Sequence, residues 1–566
     1  MIQTLREAIE KRLGSDEFEV KIENSLERGH LSTNAAFVLA EKEKIKLPEA
    51  AEDLRSFLHK SAPSDLFDRI EIGGGGFLNI WLSKDVIRRQ FAQISKAGTG
   101  WARVKGQKKD TVIVEYSAPN IAKPMHIGHL RSTIIGDAIA NVFEFLGYKA
   151  VRWNYIGDWG TQFGKLIVAY KHWGSRGKVR KNPIEELEKL YVRFHQELKE
   201  SPELEGEGRA EFKKLEEGDK GNRKLWRWFK KESLKEFGKI YNRLGVSFSV
   251  QVGEASYEKD LDRIITLLKD EEVIHESEGA LIADLERFNL PPAMVRKSDG
   301  ATLYLTRDIA SLEHRIKEYE PKKILYVVAN EQALHFSQLF ALTKNINLAG
   351  EADMPELTHI KFGLVRGETG KKFSTREGTG IKLEELLSRA TSLARESLVE
   401  REMPFKKDEM KEVSEIVGIG AIKYNDLSQN RLSDIVFDWD KMLSFDGNSG
   451  PYIQYTYARL RSILRKAKRI PKLDLKALEG EGDQALVLKL AEFPDVLERV
   501  TQSYMPSHLA SYLYELAKQV NSYYHSEPVL YSEPELRALR LNLIKATTDT
   551  LRNGLKLLGI KTVERM

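Results

Sequence analysis

The sequence predicts an α/β fold built around a doubly wound parallel sheet, with an α+β region before it and an all-α region after it. The first observation is the β-branched run TVIVEY (Thr111–Tyr116), typical of a buried parallel strand. The second is an apolar pattern of helical spacing from Ile134 to Leu146, which Gly147 ends. The third is a second strand-like run, AVRWNY (Ala150–Tyr155). Together they predict a βαβ unit and therefore a parallel sheet.

The elements around this unit divide the chain into three expected domains. Residues 1–108 mix short helices with strand-like pieces and end in a basic, glycine-containing linker, ARVKGQKKD. Residues 109–403 hold the parallel sheet, interrupted at about 175–258 by a helical insertion with long, charged patterns. From 404 to 566 the periodicity is helical almost throughout, which indicates a separate all-α domain.

Composition excludes several classes of protein. The 89 Lys and Arg against 84 Asp and Glu leave a net charge of +5, too small to indicate nucleic-acid binding without local patches. The absence of cysteine excludes disulfides and thiolate zinc sites. The first residues predict a charged amphipathic helix rather than a secretory signal, and no apolar run reaches the roughly 18 residues of a membrane span. We therefore expect a cytoplasmic protein without a membrane partner.

Two histidines stand where the first strand of the sheet leads into its helix, in KPMHIGHLRS (Lys123–Ser132). Ligands of open parallel sheets bind beyond the carboxyl ends of the strands, where helix N-termini favour phosphate. The N–H groups of His126 and His129 are therefore candidates for stabilising charge on a phosphate during nucleotidyl transfer, and Gly128 would let a flat base approach the backbone. The alternative is a pair of surface or capping histidines.

The residues around this pair resemble a known family. SAPNIAKPMHIGHLRSTIIGDAIANVFEFLGY, followed by RWNYIGDWGTQFGKL, resembles the signature region of class I aminoacyl-tRNA synthetases, and of the arginyl-tRNA synthetases in particular. GHLSTNAAF and GGGFLNIWL are similar to that family's additional tRNA-contacting domain, and GPYIQYTYARLRS and LLGIKTVERM to its anticodon-binding domain.

This resemblance implies a Rossmann-like catalytic domain that ligates L-arginine to tRNA(Arg). The reaction would proceed through an arginyl-adenylate and release pyrophosphate and AMP. The implied substrates are ATP as its Mg²⁺ complex, L-arginine and tRNA(Arg), with no zinc in a chain that lacks cysteine. We expect the chain to act as a monomer.

The second signature of the family is a lysine-containing loop, and the matching stretch is KKFSTREG. Lys372 and Ser374 match the family, but Thr375 stands where a second lysine is expected. A cation is still needed to stabilise the departing pyrophosphate. Arg376 and Lys123 are the candidates, and the resemblance favours Lys123. The residues implied for ATP are His126, Gly128, His129, Lys372 and Ser374.

An arginine pocket should present carboxylates and other acceptors to a planar guanidinium with five donors. The candidates, at strand ends and on a short helix, are Glu115, Asn120, Tyr304, Asp308 and Gln332. The resemblance implies that Asp308, Tyr304 and Gln332 hold the guanidinium. It assigns the α-amino and carboxylate ends to Glu115 and Asn120, with His129 nearby. Taken singly, each has an ordinary alternative, such as a helix ion pair for Asp308.

A tRNA needs basic surface for its phosphates and aromatic faces for its bases. YIQYTYARLRSILRKAKR and NSYYHSEP offer both in the C-terminal region. The residues expected near tRNA are Tyr452, Tyr455, Arg459, Tyr524 and Met566 there, and Phe77 and Asn79 in the N-terminal domain. The basic aromatic stretch RKLWRWFKK (Arg223–Lys231) leaves two alternatives, packing among the inserted helices, which we favour, and RNA contact.

Three other functions stay open from the sequence. Another class I synthetase is one, although a cysteinyl enzyme would need a thiolate zinc site and a lysyl enzyme would not need a pocket matched to a guanidinium fork. A non-catalytic RNA-binding paralogue would keep the fold, but His126, His129 and Asp308 argue against it. A small nucleotidyltransferase would leave the all-α C-terminal region unexplained.

Overall fold

The computed structural model describes residues 1–23, 26–104, 106, 109–298, 300, 302–344, 346–348, 350, 353–366 and 382–566. Its N-terminal region is an antiparallel sheet covered by helices. The elements are α1 (Ile2–Leu13), β1 (Val20–Ile22), β2 (Leu31–Thr33), α2 (Ala35–Glu43), α3 (Leu47–Ser61), β3 (Phe67–Ile72), β4 (Leu78–Leu82) and α4 (Lys84–Ala97). The strand order is β1-β2-β4-β3. On β4 buried and half-buried side chains alternate, as expected of a strand with one covered face.

The central region is built on a parallel sheet. Its elements are β5 (Thr111–Glu115), α5 (Ile127–Phe145), β6 (Lys149–Ile156), α6 (Thr161–Trp173), α7 (Arg176–Lys181), α8 (Pro183–Glu197), α9 (Glu203–Glu216), α10 (Lys220–Leu244), β7 (Val250–Gly253), α11 (Leu261–Asp270), β8 (His275–Ser277), β9 (Ala280–Ala283), β10 (Ala293–Arg296), α12 (Tyr304–Tyr319), β11 (Lys323–Ala329), α13 (Ala333–Thr343), β12 (Glu356–Phe362), β13 (Val365–Arg366) and α14 (Leu383–Glu400).

The strand order of this sheet fixes where a ligand belongs. The five strands run parallel in the order β12-β11-β5-β6-β7. From β5 the chain first adds β6 and β7 on one side, and it later adds β11 and β12 on the other side. The order therefore reverses between β5 and β11. In doubly wound sheets the ligand crevice lies at this reversal, beyond the carboxyl ends of the strands.

The βαβ unit and the doubly wound sheet are confirmed. β5, α5 and β6 lie where the sequence predicts them, and Gly147 has a φ of +86° at the end of the helix. One difference concerns the helical insertion, expected at about 175–258. Its helices end at Leu244, and Val250–Gly253 forms the edge strand β7 instead. This four-residue strand is half-exposed, so its apolar signal is weak.

The C-terminal region is a helical bundle. Its elements are α15 (Lys407–Leu427), β14 (Ile435–Val436), α16 (Trp439–Leu443), α17 (Gly450–Lys466), α18 (Glu481–Ala491), α19 (Phe493–Ser503), α20 (Ser507–Ser526) and α21 (Pro534–Leu557). β14 pairs with β13, which ties this region to the central one. No helix within the described ranges is both long and apolar enough to cross a bilayer.

A buried arginine joins the central and C-terminal regions. Arg131, two residues beyond His129 on α5, is fully buried, and its Nε donates to both carboxylate oxygens of Asp426 on α15, at 3.2 and 3.0 Å. Its Nη1 donates to the carbonyl oxygens of Gly363 and Ser433, at 2.7 and 3.1 Å. One guanidinium thus fixes α5, the end of β12 and α15 relative to one another.

Candidate active site

The two predicted histidines begin α5 and cap it. The backbone N–H of Gly128 donates to Nδ1 of His126 at 3.1 Å, and the N–H of His126 donates to Nδ1 of His129 at 3.1 Å. The ring centroids lie 4.0 Å apart. Since each Nδ1 accepts a hydrogen bond, each neutral ring carries its proton on Nε2. The two histidines therefore cap α5, and each imidazole keeps one N–H donor for a ligand.

Burial keeps both imidazoles neutral. It lowers the pKa of His126, and the charge of Lys123 lowers it further. It lowers the pKa of His129 to about 3, with His126 as a second cause. Near neutral pH the pair therefore presents N–H donors and the partial positive charge of the helix N-terminus, without a formal charge.

A cleft of about 350 Å³ opens beside these histidines at the reversal of the strand order. We call it the histidine cleft. Its walls come from the loop after β5, the start of α5, the end of β11 and the segment between β12 and β13; they include Ser117, Ala118, His126, Gly128, His129, Val327, Ala329, Phe362 and Gly363. Its volume suits a small ligand such as a nucleotide.

Acidic side chains from the end of β5, from the residue after β7 and from α12 lie near one another at the carboxyl ends of the strands. Glu115 is the last residue of β5 and is buried, and its Oε2 accepts a hydrogen bond from Nη2 of Arg315 on α12. The Arg315 guanidinium carbon lies 4.5 Å from the ring centroid of Trp153. Burial raises the pKa of Glu115, and the charge of Arg315 opposes that rise. Glu115 is thus held by a cation of the protein itself.

Asp308 has a different partner. It lies one turn into α12, and its Oδ2 is 2.6 Å from Nε2 of His335 on α13. Tyr304 is the first residue of the same helix and is 56% exposed, so its ring is accessible. Gln332 is exposed in the turn that connects β11 to α13. α12 has 16 residues, which makes it longer than the short helix expected.

Glu254 was missed by the sequence interpretation. It directly follows β7, and burial raises its pKa to about 8, with the charges of Asp308 and Asp158 as further causes. The signal that reveals it is its position after a parallel strand, but that strand fell inside the predicted insertion. We call Glu115, Glu254 and Asp308 the acidic pocket.

Asn120 lies on the β6 side of this edge. It is exposed and forms an isolated parallel bridge with Gly157. A Cβ on Gly157 would come within 2.0 Å of Oδ1 of Asn120, so only glycine leaves room for this side chain.

Lys123 turns toward the inserted helices. Its side chain is exposed, and its Nζ lies 5.2 Å from the ring centroid of Tyr191 on α8. Lys123 precedes His126 by three residues, and its charge lowers the pKa of His126. The other predicted phosphate-binding residues, Lys372, Ser374 and Arg376, lie outside the described residues.

The predicted tRNA-contacting residues of the C-terminal region fall into two groups. Tyr452, Arg459 and Tyr524 surround Asn521, which the sequence interpretation did not include. Nδ2 of Asn521 donates to the Tyr452 hydroxyl at 3.0 Å, and the guanidinium carbon of Arg459 lies 5.8 Å from the Tyr524 ring centroid.

Tyr455 and Met566 form the second group. Both pack on the apolar cluster that contains Phe445. Tyr452 and Tyr524 instead pack against the main apolar core.

In the N-terminal region, Phe77 is 43% exposed and its ring centroid is 5.1 Å from that of Phe37. Asn79 is half-buried on β4. For the stretch Arg223–Lys231 the packing prediction is confirmed, because Trp226 and Phe229 of α10 are buried.

Comparison with known families covers most of the chain. Residues 93–439 match "tRNA synthetases class I (R), catalytic domain", residues 453–566 match "DALR anticodon binding domain", and residues 1–82 match "Arginyl tRNA synthetase N terminal domain". The matches at 1–82 and 453–566 fall within the first and third predicted regions, whereas the match at 93–439 extends beyond both ends of the predicted region 109–403.

Individual proteins show the same similarity. The arginine–tRNA ligase of Enterococcus faecalis is 41% identical over 568 residues, covering 100% of this chain and 99% of that protein. The solved structure of the Plasmodium falciparum arginyl-tRNA synthetase superposes with a TM-score of 0.83 at 30% identity, covering 100% of this chain and 98% of that one. The Thermus thermophilus arginyl-tRNA synthetase gives a TM-score of 0.84 at 25% identity, with both chains fully covered.

Proposed function

Because the chain belongs to the arginyl-tRNA synthetase family, it ligates L-arginine to tRNA with ATP, and we propose that its residues divide this reaction between the histidine cleft and the acidic pocket. In the reaction, the arginine carboxylate attacks the α-phosphorus of ATP, forming arginyl-adenylate as pyrophosphate leaves. The tRNA 3′-terminal hydroxyl then attacks the arginyl carbonyl, and AMP leaves.

In this proposal the histidine cleft binds ATP, which arrives as its Mg²⁺ complex. The Nε2–H groups of His126 and His129 donate to phosphate oxygens, where negative charge grows as the phosphorus is attacked. Gly128 leaves the nucleotide room beside the backbone. Lys372, Ser374 and Arg376 stay assigned to the phosphates by family resemblance, with Lys123 as the cation that compensates for Thr375. The neutral, backbone-held state of both imidazoles supports the assignment, since they reach the reaction already oriented.

The acidic pocket binds arginine. Asp308 and Tyr304 receive the guanidinium together with Gln332, and Glu115 and Asn120 receive the α-amino and carboxylate ends near His129. We add Glu254 as a further carboxyl group facing the guanidinium. The single observation that carries this assignment is Asp308, a half-buried carboxylate on α12 whose Oδ2 lies 2.6 Å from Nε2 of His335 and whose charge acts on both Glu115 and Glu254.

The flanking domains bind tRNA in this proposal. Residues 404–566 hold the anticodon end, with Tyr452, Arg459 and Tyr524 as one contact group and Tyr455 and Met566 as a second. Residues 1–108 hold another part of the tRNA through Phe77 and Asn79. The family matches at 1–82 and 453–566 support this division. We further propose that the chain works as a monomer in the cytoplasm, where its tRNA substrate is used.

The assignment is tested by Asp308→Asn. Breaking a buried charged contact costs about 3 kcal/mol, or roughly a hundredfold or more in affinity, so the KM for arginine should rise by that factor while the KM for ATP stays near its parent value. Steady-state pyrophosphate exchange measures both. A rise in the ATP KM with an unchanged arginine KM would place Asp308 in the wrong pocket.

A further inference from the structure

The acidic pocket holds its carboxylates with two cations of different chemistry. Glu115 is paired with Arg315, and Asp308 with His335. A guanidinium stays protonated at any working pH, because its pKa exceeds about 12. An imidazole, by contrast, loses its proton near neutrality. When a cationic ligand enters, only one of these two internal partners is able to give up its charge.

His335 is positioned so that Asp308 controls its proton. The two side chains are 2.6 Å apart, and both are mostly buried. Burial lowers the pKa of His335, but its hydrogen bond to Asp308 and the charges of Asp308 and Glu115 outweigh burial, so the net pKa lies above its ordinary value. At a pH close to the ordinary histidine pKa of about 6.5, the protonated ring is therefore the favoured state without ligand.

We propose that arginine binding expels the proton of His335, because the substrate guanidinium replaces the imidazolium as the cation beside Asp308. One imidazolium N–H bond breaks, its electron pair stays on the ring nitrogen, and the proton passes to bulk water. This inference rests on the proposed function, in which Asp308 receives the guanidinium. It makes His335 a residue that determines how tightly arginine binds at each pH.

The sign of the pH dependence follows from linkage. Arginine lowers the pKa of His335, so a proton and arginine oppose each other's binding. Arginine affinity should be constant below the bound-state pKa, increase by up to about tenfold per pH unit between the bound and free values, and level off above the free value.

Further titratable groups lie close to His335 or to Asp308. From β12, His359 has its pKa lowered to about 4 by burial, so it stays neutral through the window. From β5, Glu115 is paired with Arg315. Glu254 faces Asp308 and has a pKa raised to about 8, which makes it the competing source of a proton. Separate variants distinguish the two sources.

The experiment is isothermal titration of the full-length protein with L-arginine at a pH close to about 6.5, in two buffers with different ionisation enthalpies. The parent should release a substantial fraction of one proton. His335→Gln keeps an amide donor for Asp308 but has no titratable proton, so release should vanish and the affinity should lose its pH dependence. His275→Gln, the same change at an exposed histidine on β8, should behave like the parent.

Several results would overturn the inference. Arginine binding by the parent without proton release is one. Proton release that persists in His335→Gln and disappears in Glu254→Gln is another, since it assigns the proton to Glu254. Should His335→Gln fail to fold, the His335 ring resonance in the parent gives the same answer, because its pKa should fall when arginine is added. An unchanged arginine affinity in Asp308→Asn would instead refute the proposed pocket itself.

Discussion

The histidine cleft and the acidic pocket share one sheet edge but handle charge in opposite ways. In the cleft, His126 and His129 are neutral, and backbone N–H groups occupy their Nδ1 atoms. In the pocket, Glu115 and Asp308 each have a cationic partner. A helix N-terminus already offers fixed partial positive charge to an anion, so the cleft needs no formal charge of its own. Strand ends offer no comparable field for a cation, and formal charges must supply it.

The largest effect on the reaction rate should come from a variant of His126 that keeps its role as helix cap but removes its role as hydrogen-bond donor to phosphate. His126→Asn keeps an oxygen that accepts the helix N-terminal N–H, since Asn is among the best capping residues, but it removes the distal Nε2–H donor. Loss of one preorganised donor should lower the rate of adenylate formation by about a hundred- to a thousandfold. Single-turnover kinetics measures the rate, and thermal unfolding checks that stability is kept.

His126→Ala is the matched control because it removes both roles. It should lose the same rate and also about 1 kcal/mol of stability, the ordinary value of a cap. If His126→Asn instead forms the adenylate as fast as the parent, the histidine acts only as a cap. The proposed role of the histidine cleft in binding phosphate would then be wrong.

A smaller effect, a loss of about a hundredfold in rate, is expected for Lys123→Ala. The contact between the lysine ammonium and the leaving pyrophosphate forms mainly in the transition state. The rate of adenylate formation should fall while ATP affinity stays nearly constant. Adding Thr375→Lys to the Lys123→Ala variant should recover part of the lost rate.

Tyr191→Leu serves as the control for this contact. It removes the ring against which Lys123 lies but keeps the lysine. The rate should therefore stay close to the parent value. Equal losses in Lys123→Ala and Tyr191→Leu would mean that the lysine only packs on α8.

The smallest effect belongs to a charge outside both sites. Arg459→Gln should weaken tRNA binding by about tenfold or less and lower the slope of log K against log salt by about one, because one phosphate contact is lost. Arg461→Gln on the same helix is the control, since Arg461 is already paired with Glu564 at 2.8 Å. Equal salt slopes in the parent and in Arg459→Gln would mean that Arg459 does not contact a tRNA phosphate.

Local patterns predicted the framework of this site, and long-range pairing completed it. The strand TVIVEY placed Glu115 at a carboxyl end, and the following helix placed the histidines at its N-terminus, because parallel strands and their helices leave periodic signals. Glu254 escaped because β7 is short and half-exposed. His335 and Asn521 were not predicted, because their side-chain partners, Asp308 and Tyr452, lie 27 and 69 residues away. Contacts at such a separation produce no periodic pattern in the sequence.

Arg131 gives the molecule a thermodynamic property that its division into domains hides. Its charge is buried on α5, and the carboxylate that neutralises it, Asp426, lies far along the chain on α15. A buried charge without its partner costs about 3–5 kcal/mol, a large share of the roughly 5–15 kcal/mol that holds a folded protein together. We therefore expect the sheet and α15 to unfold together. Deleting the chain from residue 404 onward removes Asp426. We therefore expect the truncated protein to lose stability in addition to its contacts with tRNA.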